Sequence, residues 1–159
     1  MTETTLVAKQ RLEEIVSFFG INADADAELT DDGIELAIAS GLSTARLIGH
    51  RGETLRAIEY LVNQMVKRQD SAAPRVLVDI AGYKQARKES LQTLARELAD
   101  RVKATGAEEE LKPMNPAERR IVHMTLREIE GVVSESRGDG PGRRIVARPA
   151  EAAEVTASE

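Results

Sequence analysis

The four residues Gly49-His50-Arg51-Gly52 restrict the fold of this chain more than any other stretch. Leu55, Ile58, Leu61, Val62, Met65 and Val66 follow at helical spacing and predict a helix over about 53–69. Ser43 is placed to cap a short helix that runs to Ile48. Two helices must therefore turn onto one another within four residues, and glycine tolerates the backbone that such a turn demands. Two readings are open. The turn is an ordinary helix–helix connection, or its backbone approaches a negative group. In the second case glycine removes the Cβ that would shield main-chain N–H groups, and the next helix adds partial positive charge at its N-terminus. Taken alone, the pattern favours the first.

The flanking segments place the turn. Leu6, Leu12, Ile15, Val16 and Phe19 share a helical face over 5–19, with Gly20 as the stop. Phe18 and Phe19 are expected inside. Asp32-Gly33, between alternating Ala27/Leu29 and Ile34/Leu36/Ile38, signals a β-hairpin. RVLVDIA at 75–81 reads as a buried strand, and Leu91, Leu94, Leu98 and Val102 mark a long helix over 83–105. The expected order is helix, strand, strand, helix, glycine loop, helix, strand. A second unit follows, with a short extended piece at Leu111, a helix over 116–129, a strand over 131–136, a Gly/Pro loop and a strand over 143–148. The expected domains are 1–82 and 83–148, with the long helix bridging them and 149–159 a disordered acidic tail.

Charge and composition exclude several classes. The chain has 159 residues, no cysteine and a net charge of −5. Disulfides and thiolate chemistry are therefore absent. No apolar run reaches the roughly 20 residues of a membrane helix, and a soluble cytoplasmic protein is expected. The charge is uneven. Residues 41–69 carry five basic and two acidic side chains, and 112–148 carry eight and five. Local field rather than net charge decides whether a polyanion docks. Phe18, Phe19, Tyr60 and Tyr83 are the only aromatic residues, which argues against a sheet that binds single strands by stacking. No cofactor, metal ligand set or catalytic residue is expected. His50 and His123 could serve as acid and base only with a third, orienting group, and none is evident.

The second motif is NPAERRIVHMTLREI at 115–129. Asn115 is a good N-cap, Pro116 suits the first helical position, and Glu118 completes a capping box. Arg119, His123 and Arg127 are spaced four apart and share one face. A guanidinium and an imidazole side by side suit a phosphate.

The glycine loop in its place between hairpin and third strand resembles the type II KH domain, in which such a loop clamps about four single-stranded nucleotides. The Arg-x-x-x-His helix with its later Arg143-Arg144-Ile145-Val146 resembles the "R-three-H" domain. LIGHRGETLRAIEYLVNQ, RVLVDIAGYKQARKESL and NPAERRIVHMTL in this order resemble the bacterial Jag family, also called KhpB, over about residues 5–148. The resemblance implies an α+β fold: a type II KH-like domain, then a small α/β domain with a three-stranded sheet. It implies single-stranded RNA as ligand, small regulatory RNAs among them, and a role in cell elongation, division and cell-wall growth. It also implies a small lone-KH protein as partner. Single-stranded DNA, or a module that mainly self-associates or docks proteins, is the alternative.

On this resemblance Gly49, His50, Arg51 and Gly52 form the clamp, and Arg46, Leu47, Ile48 and Leu55 border its groove. Arg119, Arg120, His123 and Arg127 form the second surface, extended by Arg137, Arg143 and Arg144. Asp in place of Gly49 and Gly52 is expected to remove the clamp without unfolding the chain. Where the family usually has Lys, this chain has His50, so a weaker or pH-dependent loop is expected. Glu53 suits the helix dipole and opposes a nearby phosphate.

Overall fold

The computed structural model describes residues 2–41 and 43–150 and divides the chain into two compact units after Lys84. The tail expected over 149–159 lies mostly outside the described residues. Its first residues are strand or follow directly from it: Pro149 pairs with Val132, and Ala150 N–H donates to the Gly131 carbonyl.

The first unit holds α1 (Glu3–Ser17), β1 (Ala25–Thr30), β2 (Gly33–Ile38), α2 (Thr44–Ile48), α3 (Glu53–Gln69) and β3 (Val76–Ile80). Its sheet has the order β1-β2-β3, with β1 antiparallel and β3 parallel to β2. The strand alternation sends Ile34, Leu36, Ile38, Val76, Val78 and Ile80 to one face, where Leu12 and Val16 of α1 and Ile58, Val62 and Val66 of α3 close over them. Each such side chain, fully buried, contributes about 1.5–3 kcal/mol.

The hairpin sits one residue earlier than the sequence suggests. Asp31 and Asp32 form its loop, and Gly33 opens β2, paired with Thr30. Gly33 is glycine for another reason. A Cβ there would stand 2.2 Å from the Arg75 carbonyl oxygen, which accepts from Ile34 N–H at 2.8 Å. Phe18 also departs from expectation. Helix α1 ends at Ser17, and Phe18 is 83% exposed while Phe19 packs on the core.

Strand β3 is an edge, and α3 supplies what its backbone would otherwise lack. Asn63 accepts from Val76 N–H at 2.9 Å and donates to the Val76 carbonyl at 2.7 Å. Glu59 accepts from Val78 N–H at 2.9 Å. These side chains fix α3 against the sheet, and with it the loop that precedes it.

Helix α4 (Tyr83–Thr105) starts with two residues of the first unit and continues in the second, which adds β4 (Glu109–Glu110), α5 (Pro116–Arg127), β5 (Val132–Arg137) and β6 (Arg144–Pro149). The antiparallel sheet has the order β4-β6-β5. Leu91, Leu98 and Val102 of α4, Val122 and Leu126 of α5, Val132 and Ile145 form its core. The extended piece expected at Leu111 forms just before it. No helix among the described residues is long and apolar enough to cross a membrane.

Asn115 caps α5 by accepting from Glu118 N–H at 3.0 Å. The reciprocal half of the expected capping box does not form. The Glu118 carboxylate, 5% exposed, accepts a hydrogen bond on Oε1 from Arg87 Nε of α4 at 2.8 Å, and Arg87 Nη2 pairs with the same oxygen at 2.7 Å. The other oxygen, Oε2, is buried with no hydrogen-bond partner among the described residues. Arg87→Ala is expected to lower the unit's stability by about 2–3 kcal/mol, because it strands a buried charge. Glu118→Gln should cost less. Urea unfolding followed by circular dichroism measures both.

Candidate nucleic-acid interface

The glycine loop is a run of left-handed backbone. Gly49 has φ 69° and ψ −173°, a region that essentially only glycine occupies. Arg51 (φ 48°, ψ 34°) and Gly52 (φ 75°, ψ 18°) are left-handed as well. The chain thus leaves α2, makes one tight turn over His50–Gly52 and enters α3.

The glycines do not act by baring their own amides. Gly49 N–H donates to the Ala45 carbonyl at 3.0 Å and Gly52 N–H to the Gly49 carbonyl at 3.4 Å. Their missing side chains are replaced by packing. A Cβ on Gly49 would lie 2.1 Å from Thr54 Oγ1, and one on Gly52 would lie 2.6 Å from Cε1 of the Tyr83 ring. Asp at either glycine therefore cannot be the harmless probe that the sequence suggests. What the glycines provide is a conformation that sets an exposed His50 and a half-buried Arg51 at the N-terminal end of α3.

His50 is exposed at that turn and Arg46 is exposed on α2. Neither has an ion-pair partner among the described residues. Ile48 is half-buried against the core. Leu47 and Leu55, expected to border a groove, are 0% and 2% exposed and belong to the core. They hold the two helices in place and are not available to a ligand. The opposite side of this unit is acidic. Sheet register sets Glu28 against Glu35, and Asp26 and Asp79 on either side of Ala37, all on the face away from the helices. Those carboxylates disfavour a polyanion on that face.

In the second unit α5 aligns Arg119, His123 and Arg127. Arg119 is half-buried and donates to the Met114 carbonyl at 2.9 Å, which braces the approach to the helix. His123 Nδ1 lies 2.8 Å from Ser134 Oγ of β5. That bond fixes the ring and leaves Nε2 with no hydrogen-bond partner among the described residues. A shallow pocket is lined by His123, Arg127, Val132, Val133 and Ser134. Arg120 and Arg127 are exposed.

The three later arginines divide. Residues 134 and 136 of β5 face one way and 135 and 137 the other. Arg143 donates to Ser136 Oγ at 2.9 Å and so joins the side that carries Ser134 and His123. Arg137 and Arg144, opposite one another in register, lie on the other face. There Arg137 grips Glu108 with two hydrogen bonds, at 2.8 and 3.1 Å, and also bonds Glu135. Arg144 donates to Glu110 Oε2 at 2.6 Å. Arg137 holds the Glu108 carboxyl below the usual carboxylate range, so this pairing is complete at neutral pH and is lost only in acid. Arg137 and Arg144 are thus neutralised in place and do not extend the free basic surface.

Sequence reasoning missed Ser134, Ser136, Thr54 and Tyr83. The two serines are readable from the two-residue period of β5 once α5 is known to cover it. The packing on the glycines has no signal in sequence. Gly52→Ala is expected to cost about 1–3 kcal/mol of stability, from strain plus collision with Tyr83. In a Tyr83→Ala background the same substitution should cost about 1 kcal/mol less. Equal costs in a double-mutant cycle by urea unfolding would contradict the packing.

Residues 89–149 match the model of the R-three-H domain. The chain is 37% identical over 136 residues to the RNA-binding protein KhpB of Clostridium symbiosum, covering 85% of this chain and 61% of the relative. It is 34% identical over 141 residues to that of Bacillus subtilis, covering 87% and 67%. With that of Streptococcus pneumoniae serotype 2 it shares 31% over 150 residues, covering 91% and 46%. The chain therefore spans roughly half to two thirds of the length of these relatives.

Proposed function

The chain belongs to the KhpB family and carries an R-three-H domain, and from that premise we propose that it binds single-stranded RNA through two separate surfaces. The first is the loop at 49–52 with His50, Arg51 and Arg46. The second is the α5 face with Arg119, His123 and Arg127, joined by Arg143. The observation that carries the reading is the distribution of charge. Arg46, His50, Arg127 and Arg143 have no carboxylate partner among the described residues, while Arg87, Arg101, Arg137 and Arg144 are paired. The relatives' name as RNA-binding proteins supports RNA as the polymer.

We read the first unit as a type II KH domain. Its element order, the parallel pairing of β2 with β3 and the loop between α2 and α3 support that reading. The loop would engage a phosphate from the N-terminal end of α3, where partial positive charge and Arg51 combine. On the second surface a charged Arg127 and the fixed His123 ring would contact phosphate and base edge. Arg119 supports them through Met114 and is a positioning residue as much as a contact. The protein is read as a binder acting in the cytoplasm on cellular RNAs, with a role in elongation, division and cell-wall growth and a small lone-KH protein as partner. Single-stranded DNA is the second polymer to test, since no residue of either surface distinguishes ribose.

Titration of single-stranded RNA at several salt concentrations tests the reading. Affinity should fall with salt, and each cation removed should flatten the slope by about 0.7. His50→Ala with Arg51→Ala should weaken one component of binding, and His123→Ala with Arg127→Ala the other. Undiminished RNA retention by both pairs would refute the assignment, and cleavage of labelled RNA would point to an enzyme instead.

A further inference from the structure

Helix α3 carries more than the loop at its start. Arg56, Tyr60, Gln64 and Lys67 are all exposed. At 3.6 residues per turn they fall within about 80° of one another around the axis. Arg56 comes one turn after Gly52. Tyr60 lies about 6 Å further along, and Lys67 about 10 Å beyond that. The Tyr60 ring is 63% exposed. Arg56 and Lys67 have no ion-pair partner among the described residues. Of the two carboxylates of the helix, one shares this face and one does not. Glu53 is at the loop end, and Glu59 faces β3, bonded to Val78 N–H and paired with Lys84 and Arg75.

An exposed ring between two unpaired cations has little to offer the fold. It buries little area and brings no ion pair. It does match a single strand, whose bases stack on aromatic faces while flanking phosphates meet cations. The match is continuous with the loop, because the same helix begins there. The acidic face of the sheet repels a strand that would take the other course.

We propose that this face of α3 is a second segment of the RNA track. Tyr60 stacks a base of the nucleotides that continue past the loop, and Arg56 and Lys67 take the phosphates on either side of it. The proposal rests on the RNA reading above and makes a separate statement: a strand too short to leave the loop gains nothing from Tyr60. The competing occupant is a second copy of the chain, because Leu61 beside Tyr60 is 48% exposed.

The test is binding of random-sequence RNAs of about four and about twelve nucleotides to the full chain and to Tyr60→Ala and Tyr60→Phe, with sedimentation of each protein. Tyr60→Ala should bind the longer RNA about tenfold more weakly and the shorter one unchanged. Tyr60→Phe, which keeps the ring, should behave as the unaltered chain. Equal loss at both lengths, or no loss at either, overturns the track and leaves the loop assignment standing. A change of oligomeric state in Tyr60→Ala with RNA binding unaltered also overturns it and assigns the face to self-association. Failure of the unaltered chain to bind either RNA overturns the RNA reading and the track with it.

Discussion

The left-handed turn between α2 and α3 is the constraint on which the first unit's interface depends. Gly49, Arg51 and Gly52 share positive φ within four residues. Such backbone is costly, and it persists because its surroundings leave no alternative. Thr54 fills the space beside Gly49, Tyr83 fills the space beside Gly52, and α3 is locked to β3 through Asn63 and Glu59. The loop's shape is thus set by packing beneath it. Its chemistry is set by the side chains that the packing pushes outward.

The second unit obeys a different constraint, the pairing of charges. It is rich in basic residues, yet several are held by carboxylates. Arg87 is fixed on Glu118, Arg101 on Glu109, Arg137 on Glu108 and Glu135, and Arg144 on Glu110. Strand β4 explains much of this. Its alternation turns Glu109 toward α4 and Glu108 and Glu110 toward the arginines of β5 and β6. Arg119, Arg120 and Arg127 of α5 and Arg143 are among the cations that have no carboxylate partner among the described residues.

Much of this is legible in the sequence. The order of elements, the limits of α3 and α4 and the face shared by Arg119, His123 and Arg127 follow from periodicity and capping, which are local. Sequence misleads where distant residues decide. Leu55 carries the same apolar signal whether it lines a groove or fills a core. Spacing ties Glu118 to Asn115, but the partner of its carboxylate is Arg87, 31 residues away. Arg137 and Arg144 look like free charge until the Glu108–Glu110 run is brought beside them. Phe18 follows the apolar pattern of α1, but the helix has ended before it. The glycine pattern marks the turn without giving its reason. The glycines accommodate Thr54 and Tyr83 and keep their amides inside the turn.

Photocrosslinking of single-stranded RNA to the chain, with the attached peptides identified by mass spectrometry, reads both surfaces at once. Crosslinks are expected in the segment around His50 and Arg51 and on α5 and the facing side of β5, near His123, Ser134 and Arg143. Crosslinks concentrated on the paired face, at Arg137 and Arg144, or on the acidic sheet face at Glu28 and Glu35, would contradict the two-surface assignment.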